Sequence, residues 1–270
     1  MGLAEVNSPI EYSVNGSILL TEFALLERPQ RAKDAGFEAV EFWWPFSSSV
    51  PGGAEVDRFE TAISDAGVRL TGLNFNAGDM SAGDRGLVSW TGRSSEFRDS
   101  IDVAVGIGER LGTRSFNALY GNRLPDGSSE EQDEIAVENL AAAGEAVSRI
   151  GAIVLLEPLS GAPQYPLLTA DDALGVIKRV RNTTGVDNIK LLADFYHLAV
   201  NGDDVAAVIE EHALDFAHIQ IADSPGRGAP GTGHLPLQTW IERAIRLGYT
   251  GYIGLEYKQP AGTAFDWLTS

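Results

Sequence analysis

The sequence contains no cysteine. Disulfide frameworks, thiolate nucleophiles, cysteine-ligated zinc sites and iron–sulfur clusters are therefore excluded. With only four histidines in 270 residues, metal sites that need many imidazole ligands are also disfavoured. A chain without cysteine suits a reducing compartment, and we expect a cytoplasmic protein.

Positive charge is scarce, since 20 lysines and arginines stand against 38 aspartates and glutamates, for a net charge of −18. Such a chain repels phosphate backbones and anionic lipids, so we predict no nucleic-acid partner and no membrane partner. Long hydrophobic runs are missing as well, because runs such as Ile153 to Leu156 are far shorter than the roughly 18 residues of a membrane span. The segment Met1 to Glu11 has two acids and no lysine or arginine, which predicts that the chain carries no signal peptide.

Sequence motifs of several enzyme classes are absent. No G-x-x-x-x-G-K-[ST], H-E-x-x-H or G-x-S-x-G occurs, so nucleoside triphosphate, zinc protease and serine hydrolase chemistry lack support. The segment Gly226 to Gly231 matches G-x-G-x-x-G, but it contains Pro230 and does not open directly into a helix. A dinucleotide-binding loop is therefore not predicted there.

What the chain does contain is an alternation of short β-branched or aromatic runs with longer segments that carry apolar residues at helical spacing. The predicted strands are Tyr12–Val14, Ala39–Phe42, Arg69–Leu73, Ser115–Ala118, Ala152–Leu156, Ile189–Ala193, Phe216–Ile221 and Tyr252–Leu255. The predicted helices are Phe23–Ala35, Ala54–Ala66, Glu96–Leu111, Ser129–Ile150, Ala170–Asn182, Asp203–His212 and Pro236–Leu247. Several of them end in a glycine that suits a short helix-to-strand joint. The pattern predicts an α/β fold, a single (β/α)8 TIM barrel spanning residues 1–270, with an open doubly wound sheet as the alternative.

Oxygen-bearing side chains stand at the ends of the last four predicted strands. They are Glu157, Asp194, Gln220 and Glu256, each about one strand–helix unit from the next. A single acid at a strand end is often a helix cap or an ion-pair partner, but four in succession are not explained in this way. In a barrel they would converge on one side of the mouth, where they form an all-oxygen set suited to Mg²⁺ or Mn²⁺.

Several motifs, in this order and spacing, resemble the hydroxypyruvate isomerase family within the xylose isomerase-like barrel superfamily. The resemblance runs through nearly the whole chain, on the segments Ala35–Phe42, Asn76–Asp79 with Arg85–Gly86, Leu156–Pro158, Asp194–His197, His218–Asp223 with Pro225–Arg227, Pro230–Gly233 and Gly254–Lys258. It implies a divalent metal held by Glu157, Asp194, Gln220 and Glu256. It also implies that Glu157 and Glu256 exchange protons with the substrate.

The reaction that the resemblance implies is an aldose–ketose isomerisation of a small molecule, hydroxypyruvate or a related short oxo acid or sugar. A proton leaves the carbon beside a carbonyl and returns to the neighbouring carbon through an enediolate. A ketose 3-epimerase of the same superfamily is the close alternative, since it can use the same two carboxylates. A lyase that dehydrates a ketone and a sugar-binding barrel without activity are the other readings.

Four further residues are candidates for substrate binding: His197, Arg227, Lys258 and Glu41. An anionic substrate needs local positive charge in so acidic a protein, and Arg227 is well placed to supply it in the loop after strand seven. For Lys258 the simpler interpretation is a solvated charge. The sequence leaves the role of Glu41 open: it orients a substrate group or a ligand, or it accepts a structural hydrogen bond. Trp43 and Trp44 suit either a pocket wall or a contact in a homo-oligomer.

The sequence departs from the family pattern at His234, which follows Pro-Gly-Thr-Gly where we expect an acid. This change in a loop at the barrel mouth bears on the substrate more than on the reaction type.

Overall fold

All eight predicted strands form, and they pair in chain order into a closed parallel barrel. The computed structural model describes residues 10–260 and 262–269, and within them β1 pairs with both β2 and β8, which closes the sheet. The strands are β1 Tyr12–Asn15, β2 Ala39–Phe42, β3 Arg69–Asn74, β4 Ser115–Asn117, β5 Ile153–Leu156, β6 Ile189–Asp194, β7 Phe216–Ile221 and β8 Ile253–Leu255. The predicted TIM barrel is therefore confirmed, and the open doubly wound sheet is wrong.

Helices follow the strands around the outside of the barrel. Within the described residues they are α1 Arg28–Asp34, α2 Gly53–Ala66, α3 Ser94–Leu111, α4 Ser129–Ser148, α5 Ala170–Thr184, α6 Phe195–Asn201, α7 Val205–His212 and α8 Leu237–Arg246. Three short 3₁₀ turns are also present, at Leu25–Glu27, Thr91–Arg93 and Asp266–Thr269.

The helices differ from the prediction in two places. The prediction of one helix over Phe23–Ala35 is wrong in its first part, because Leu25–Glu27 form a 3₁₀ turn and α1 begins only at Arg28. Pro29 lies in the first turn of α1, where its missing N–H costs no helical hydrogen bond. The sequence analysis also missed α6, which starts directly after β6. The side chain of Asp194 accepts from the backbone N–H groups of Tyr196 and His197, and this cap starts the helix without a linker.

The apolar core lies between the barrel and the surrounding helices. On α2 the buried residues Val56, Phe59 and Ile63 recur at helical spacing and face the sheet, where Phe59 packs edge-to-face on Phe42 of β2. The predicted glycine joints are also found, since α2 ends at Gly67 with φ of 65° and α3 at Gly112 with φ of 76°. These left-handed turns let each helix pass within a few residues into the next strand.

No helix in the described part of the chain is long and apolar enough to cross a lipid bilayer. Most of the segment on which the prediction of no signal peptide depends, residues 1–9, lies outside the described residues.

Candidate active site

A cavity of about 900 Å³ opens at the mouth of the barrel, where the strands end and the loops that follow them begin. Five of the predicted site residues line it: Glu157, His197, Arg227, Glu256 and Lys258. The other three, Asp194, Gln220 and Glu41, are buried at or near the ends of β6, β7 and β2. The structure thus brings the predicted residues to one end of the barrel, in two layers.

Glu157 follows β5 directly, and its side chain is buried beside two other carboxylates. Asn117, the last residue of β4, donates from Nδ2 to Glu157 Oε2 at 2.7 Å. Burial raises the pKa of Glu157 well above its ordinary value, and the nearby charges of Glu256 and Asp194 raise it further. This carboxyl group therefore holds a proton more readily than an exposed glutamate does.

Glu256 follows β8 directly and has a partner at each carboxylate oxygen. Oε1 pairs with the guanidinium of Arg227, while Oε2 accepts from Asn15 Nδ2 at 2.9 Å and from Gln220 Nε2 at 2.6 Å. Burial raises the pKa of Glu256 to about 7, although the Arg227 charge opposes the rise. A carboxylate with a pKa near neutrality is suited to both accepting and releasing a proton.

Among the four predicted metal ligands, two buried oxygens have no hydrogen-bond partner within the described residues. Asp194 uses Oδ1 to cap α6, which leaves Oδ2 unpaired. Gln220 uses both N–H groups, to Glu41 Oε1 at 2.7 Å and to Glu256, which leaves Oε1 unpaired. Buried oxygens without partners are costly unless something else satisfies them. A hard divalent cation fits this donor set, because it prefers carboxylate and amide oxygens.

His197 also stands near this set, since Glu157, Asp194 and His197 each offer a ligand atom within 4.8 Å of the others. Its tautomer argues against metal binding, however. The backbone N–H of Ser160 donates to His197 Nδ1 at 3.0 Å, so Nδ1 carries no proton and Nε2 of the neutral ring must carry it. Burial lowers the pKa of His197 to about 4, which keeps the ring neutral. Its Nε2–H is therefore a hydrogen-bond donor.

Arg227 enters the site from the loop after β7 and adopts a left-handed φ of 57°, which residues other than glycine rarely take. Burial lowers its pKa, but the charges of Glu256, Asp194 and Glu157 outweigh burial and raise the pKa above its ordinary value. The loop is tied to the end of β7 by Asp223, whose buried carboxylate accepts from the backbone N–H groups of Ser224, Gly231, Gly233 and Leu235. The sequence analysis quoted Asp223 within a motif but missed this role.

Lys258, Glu41 and His234 complete the set of residues that the sequence singled out. Lys258 is exposed at the rim of the cavity, and its backbone N–H donates to the carbonyl oxygen of Arg227 at 2.6 Å. Glu41 is 3% exposed inside the barrel, where it contacts His218, Asn15 and Gln220. His234 is exposed in the loop after β7.

The sequence analysis missed three partners of the carboxylates and the imidazole. Asn15 ends β1 and donates to Glu256, Asn117 ends β4 and donates to Glu157, and Ser160 holds the ring of His197. Applying the strand-end rule to amides as well as to acids identifies both asparagines. No local pattern singles out Ser160, because its contact joins this loop residue to His197 of α6, which is 37 residues away.

The chain is similar to known proteins along most of its length. The family model described as the xylose isomerase-like TIM barrel matches residues 29–270. The chain belongs to this family. The family resemblance inferred from the sequence motifs is thereby confirmed.

Relatives with full-length similarity carry isomerase names. The chain is 50% identical over 264 residues to a putative hydroxypyruvate isomerase of Streptomyces coelicolor, which covers 95% of each chain. It is 35% identical to a 2-oxo-tetronate isomerase of Cupriavidus necator, over 95% of this chain and 96% of that one. It is 30% identical to the hydroxypyruvate isomerase of Escherichia coli, over 94% and 95%. These relatives confirm the predicted enzyme class, an isomerase related to hydroxypyruvate isomerase.

Among solved structures, one named AP endonuclease, family 2, from Brucella melitensis superposes with a TM-score of 0.85 at 29% identity, covering 97% of this chain and 98% of that one. A structure of L-ribulose 3-epimerase superposes with a TM-score of 0.70 at 21% identity, over 93% and 82%. At that identity the second likeness concerns the fold alone.

Proposed function

We propose that this protein isomerises hydroxypyruvate to tartronate semialdehyde, or a related short hydroxy-oxo acid to its aldehyde, by moving a proton between neighbouring carbons. The observation that carries the proposal is the pair of buried glutamates, Glu157 after β5 and Glu256 after β8, which line one cavity and both have a raised pKa. The isomerase names of the full-length relatives support the same reaction class.

A divalent metal, Mg²⁺ or Mn²⁺, would be held by Glu157, Asp194, Gln220 and Glu256. The support for this set is its composition of oxygens and the two unpaired atoms, Asp194 Oδ2 and Gln220 Oε1. When bound, such an ion supplies Lewis-acid stabilisation of the negative charge that develops on the substrate oxygens. It also offsets the repulsion between the clustered carboxylates.

Glu157 and Glu256 divide the proton transfer. One carboxylate removes the proton from the hydroxymethyl carbon, and the other glutamate, in its acid form, donates a proton to the former carbonyl carbon. The hydroxyl proton of the hydroxymethyl group moves to the former carbonyl oxygen, which leaves an aldehyde on one carbon and a hydroxyl group on the other. Their buried surroundings suit this exchange, because a carboxyl group with a raised pKa accepts and releases protons near neutral pH. The roles reverse in the reverse reaction.

Three other side chains orient the substrate. His197 donates from Nε2–H to a substrate oxygen, which the acceptor role of Nδ1 toward Ser160 makes its only available function in the neutral ring. Arg227 binds the substrate carboxylate while it stays beside Glu256. Lys258 adds positive charge at the rim of the cavity.

The test is to incubate protein reconstituted with Mn²⁺ or Mg²⁺ with hydroxypyruvate, 2-oxo-tetronate and short ketoses in deuterated water, followed by proton NMR. We expect conversion of an oxo acid to its aldehyde isomer, with solvent deuterium entering the product. Inversion at carbon 3 of a ketose would instead identify the epimerase, and loss of water would identify a lyase. If none of these compounds gives a product or exchanges deuterium, the proposed isomerisation is contradicted.

A matched control accompanies that test. Glu134→Gln makes the same chemical change as Glu157→Gln but on the exposed surface of α4. It should leave turnover unchanged, so that loss in the site variants reports the site and not the overall charge.

Binding of single- and double-stranded DNA to the same preparation tests the prediction that no nucleic acid is a partner.

A further inference from the structure

A second pair of ionisable side chains lies inside the barrel, behind the carboxylates of the cavity. Glu41 on β2 and His218 on β7 are joined by a contact of 2.6 Å between Glu41 Oε2 and His218 Nε2, and their exposed fractions are 3% and 6%. The proposed reaction uses neither residue, because Glu157 and Glu256 already supply the proton exchange. Their presence in the interior therefore needs another explanation.

The pair reaches the site through Gln220. His218 and Gln220 are two residues apart on β7 and thus point to the same face, into the barrel. Glu41 Oε1 accepts from Gln220 Nε2 at 2.7 Å and from Asn15 Nδ2 at 3.2 Å, and both of these amides also donate to Glu256 Oε2. With its amide nitrogen held by two carboxylates, Gln220 can present only its oxygen to the remaining direction.

The strands leave space for this arrangement. Gly254 of β8 lies beside Gln220 in the strand register, and a Cβ at position 254 would stand 2.7 Å from Gln220 Cγ and 2.8 Å from Glu41 Oε1. On the opposite side Gly72 of β3 pairs with Glu41, where a Cβ would stand 3.5 Å from Glu41 Cβ. Glycine is needed at 254 for close approach, because a side chain there would push Glu41 and Gln220 apart.

Burying a carboxylate and an imidazole inside a barrel costs desolvation free energy. Replacing a buried polar pair by well-packed apolar residues is often neutral or stabilising, so the pair is poor evidence of a stability role. What an apolar pair cannot do is to accept a hydrogen bond from an amide and thereby set its direction.

We propose that Glu41 and His218 form a positioning pair that fixes the side-chain amide of Gln220, so that Gln220 Oε1 is aimed at the metal site. His218 holds one oxygen of Glu41, and the other oxygen of Glu41 holds the amide nitrogen of Gln220. This inference rests on the proposed function in one respect, namely that Gln220 is a ligand. It assigns Glu41 a role that acts through Gln220 and not through contact with the substrate.

The experiment separates the hydrogen bond from the charge. Glu41→Leu removes the acceptor. Glu41→Gln keeps one acceptor oxygen for Gln220, while its amide can donate to the unprotonated nitrogen of His218 after a tautomer change. Ser13→Ala is the matched control, since it removes another contact of the barrel interior, 2.6 Å to Thr71, that touches neither Gln220 nor Glu256. Thermal unfolding of each variant checks that it is folded.

Two readouts are measured on each variant. The first is the dissociation constant for Mn²⁺ alone, by electron paramagnetic resonance of the free ion. The second is the side-chain NH₂ signal of Gln220 in ¹⁵N-labelled protein, assigned by its loss in Gln220→Leu. We expect Glu41→Leu to weaken Mn²⁺ binding by about 10-fold or more, the usual scale for a residue that orients a ligand. We also expect faster solvent exchange of the Gln220 NH₂ in that variant, with Glu41→Gln and Ser13→Ala close to wild type in both readouts.

Further variants keep the proposal falsifiable. If Glu41→Leu does not fold, Gly254→Ala displaces the same two side chains without removing either, and it should weaken Mn²⁺ binding in the same direction. His218→Leu should weaken it less than Glu41→Leu, because Glu41 can still accept from Gln220. Wild-type Mn²⁺ affinity and wild-type Gln220 exchange in Glu41→Leu would overturn the positioning role. Equal damage from Glu41→Gln and Glu41→Leu would also overturn it, because charge and not the hydrogen bond would then matter.

The proposed function fails in a different way. If Gln220→Leu binds Mn²⁺ as wild type does, then Gln220 is not a ligand and the metal set is wrong. The NH₂ exchange of Gln220 would still report in that case whether Glu41 holds the amide.

Discussion

The two glutamates of the site stand in contrasting surroundings. Glu256 is held at both oxygens by Arg227, Asn15 and Gln220, whereas Glu157 accepts one hydrogen bond, from Asn117. The unpaired Oδ2 of Asp194 lies on the Glu157 side, and the neighbouring Asn117 Oδ1 is also buried without a partner. The Glu256 side of the site is thus held largely by the chain itself, while the Glu157 side, together with Gln220 Oε1, offers oxygens to something that binds. Four predictions test this difference.

The largest expected effect is on turnover in Glu157→Gln and Glu256→Gln. Glutamine can still offer an oxygen to a metal but cannot accept a proton from carbon, so each variant should lose at least about 100-fold in kcat. Since each glutamate serves one carbon, one of the variants should still exchange deuterium at a single substrate position without completing the reaction. Position-resolved proton NMR, with metal content by atomic absorption, measures both. Near-wild-type turnover in both metal-loaded variants would refute the two-carboxylate mechanism.

The next largest effect is expected for Arg227→Ala, on the Glu256 side of the site. A charge-assisted hydrogen bond contributes about 1.5–3 kcal/mol, so KM for an anionic oxo acid should rise by roughly 10- to 100-fold. For a neutral ketose KM should change far less. Because Glu256 also loses its cation, kcat should fall for any substrate that turns over. Steady-state kinetics on the two substrate types make the measurement, and an equal rise in KM for both would place Arg227 outside the carboxylate site.

On the Glu157 side of the site, Asp194→Asn should weaken Mn²⁺ binding by at least about 10-fold. This loss should exceed that caused by removing a residue that only orients a ligand. The asparagine Oδ1 can still cap α6 as Asp194 Oδ1 does, so the fold should survive while an NH₂ group replaces the unpaired Oδ2. Titration calorimetry with Mn²⁺ gives the affinity, and Asp126→Asn, at an exposed loop position, is the matched control. Unchanged affinity in Asp194→Asn would remove Asp194 from the metal set.

The smallest effect concerns His197. Ser160→Ala removes the hydroxyl contact of 2.7 Å to Nδ1 but leaves the backbone N–H donor in place, so the Nε2–H tautomer should persist and kcat/KM should fall less than about 5-fold, the scale of one neutral hydrogen bond. Because burial lowers the pKa of His197 to about 4, its ring should stay neutral on titration down to about pH 5. ¹⁵N NMR of the imidazole reports both properties. A protonated ring at pH 6, or the Nδ1–H tautomer, would contradict the assigned donor role.

The sequence predicted which residues form the site better than it predicted the hydrogen bonds between them. Glu157, Asp194, Gln220 and Glu256 were all found from their places at strand ends, and the structure puts each of them at the barrel mouth or just inside it. That the four hold a metal stays a prediction, as do cytoplasmic localisation, the absence of nucleic-acid binding and the oligomeric state.

The errors have a common physical origin. The helix α6 was missed because its start depends on the side chain of Asp194, which the strand-end pattern had assigned to the metal set and not to a helix cap. His218 was counted among the histidines but not linked to Glu41, although its spacing from Gln220 on one strand shows that both point inward. In each case the residue stands out in the local sequence pattern. What the pattern does not show is the second role of Asp194 as a helix cap, or the contact of His218 with Glu41 on another strand.

By itself, the sequence determined the alternation of eight strands with helices and the oxygen donors that follow the last four strands, whereas the structure decided that the sheet closes into a barrel. The alternation and the donors follow from local regularities, because alternating strand and helix periods and the residue after each strand are read within a few positions. The tertiary structure alone decided which way Gln220 faces and which nitrogen of His197 carries the proton. Those outcomes depend on donors and acceptors placed to within a few tenths of an ångström by distant parts of the chain, as with Glu41 and Gln220, which are separated by 179 residues.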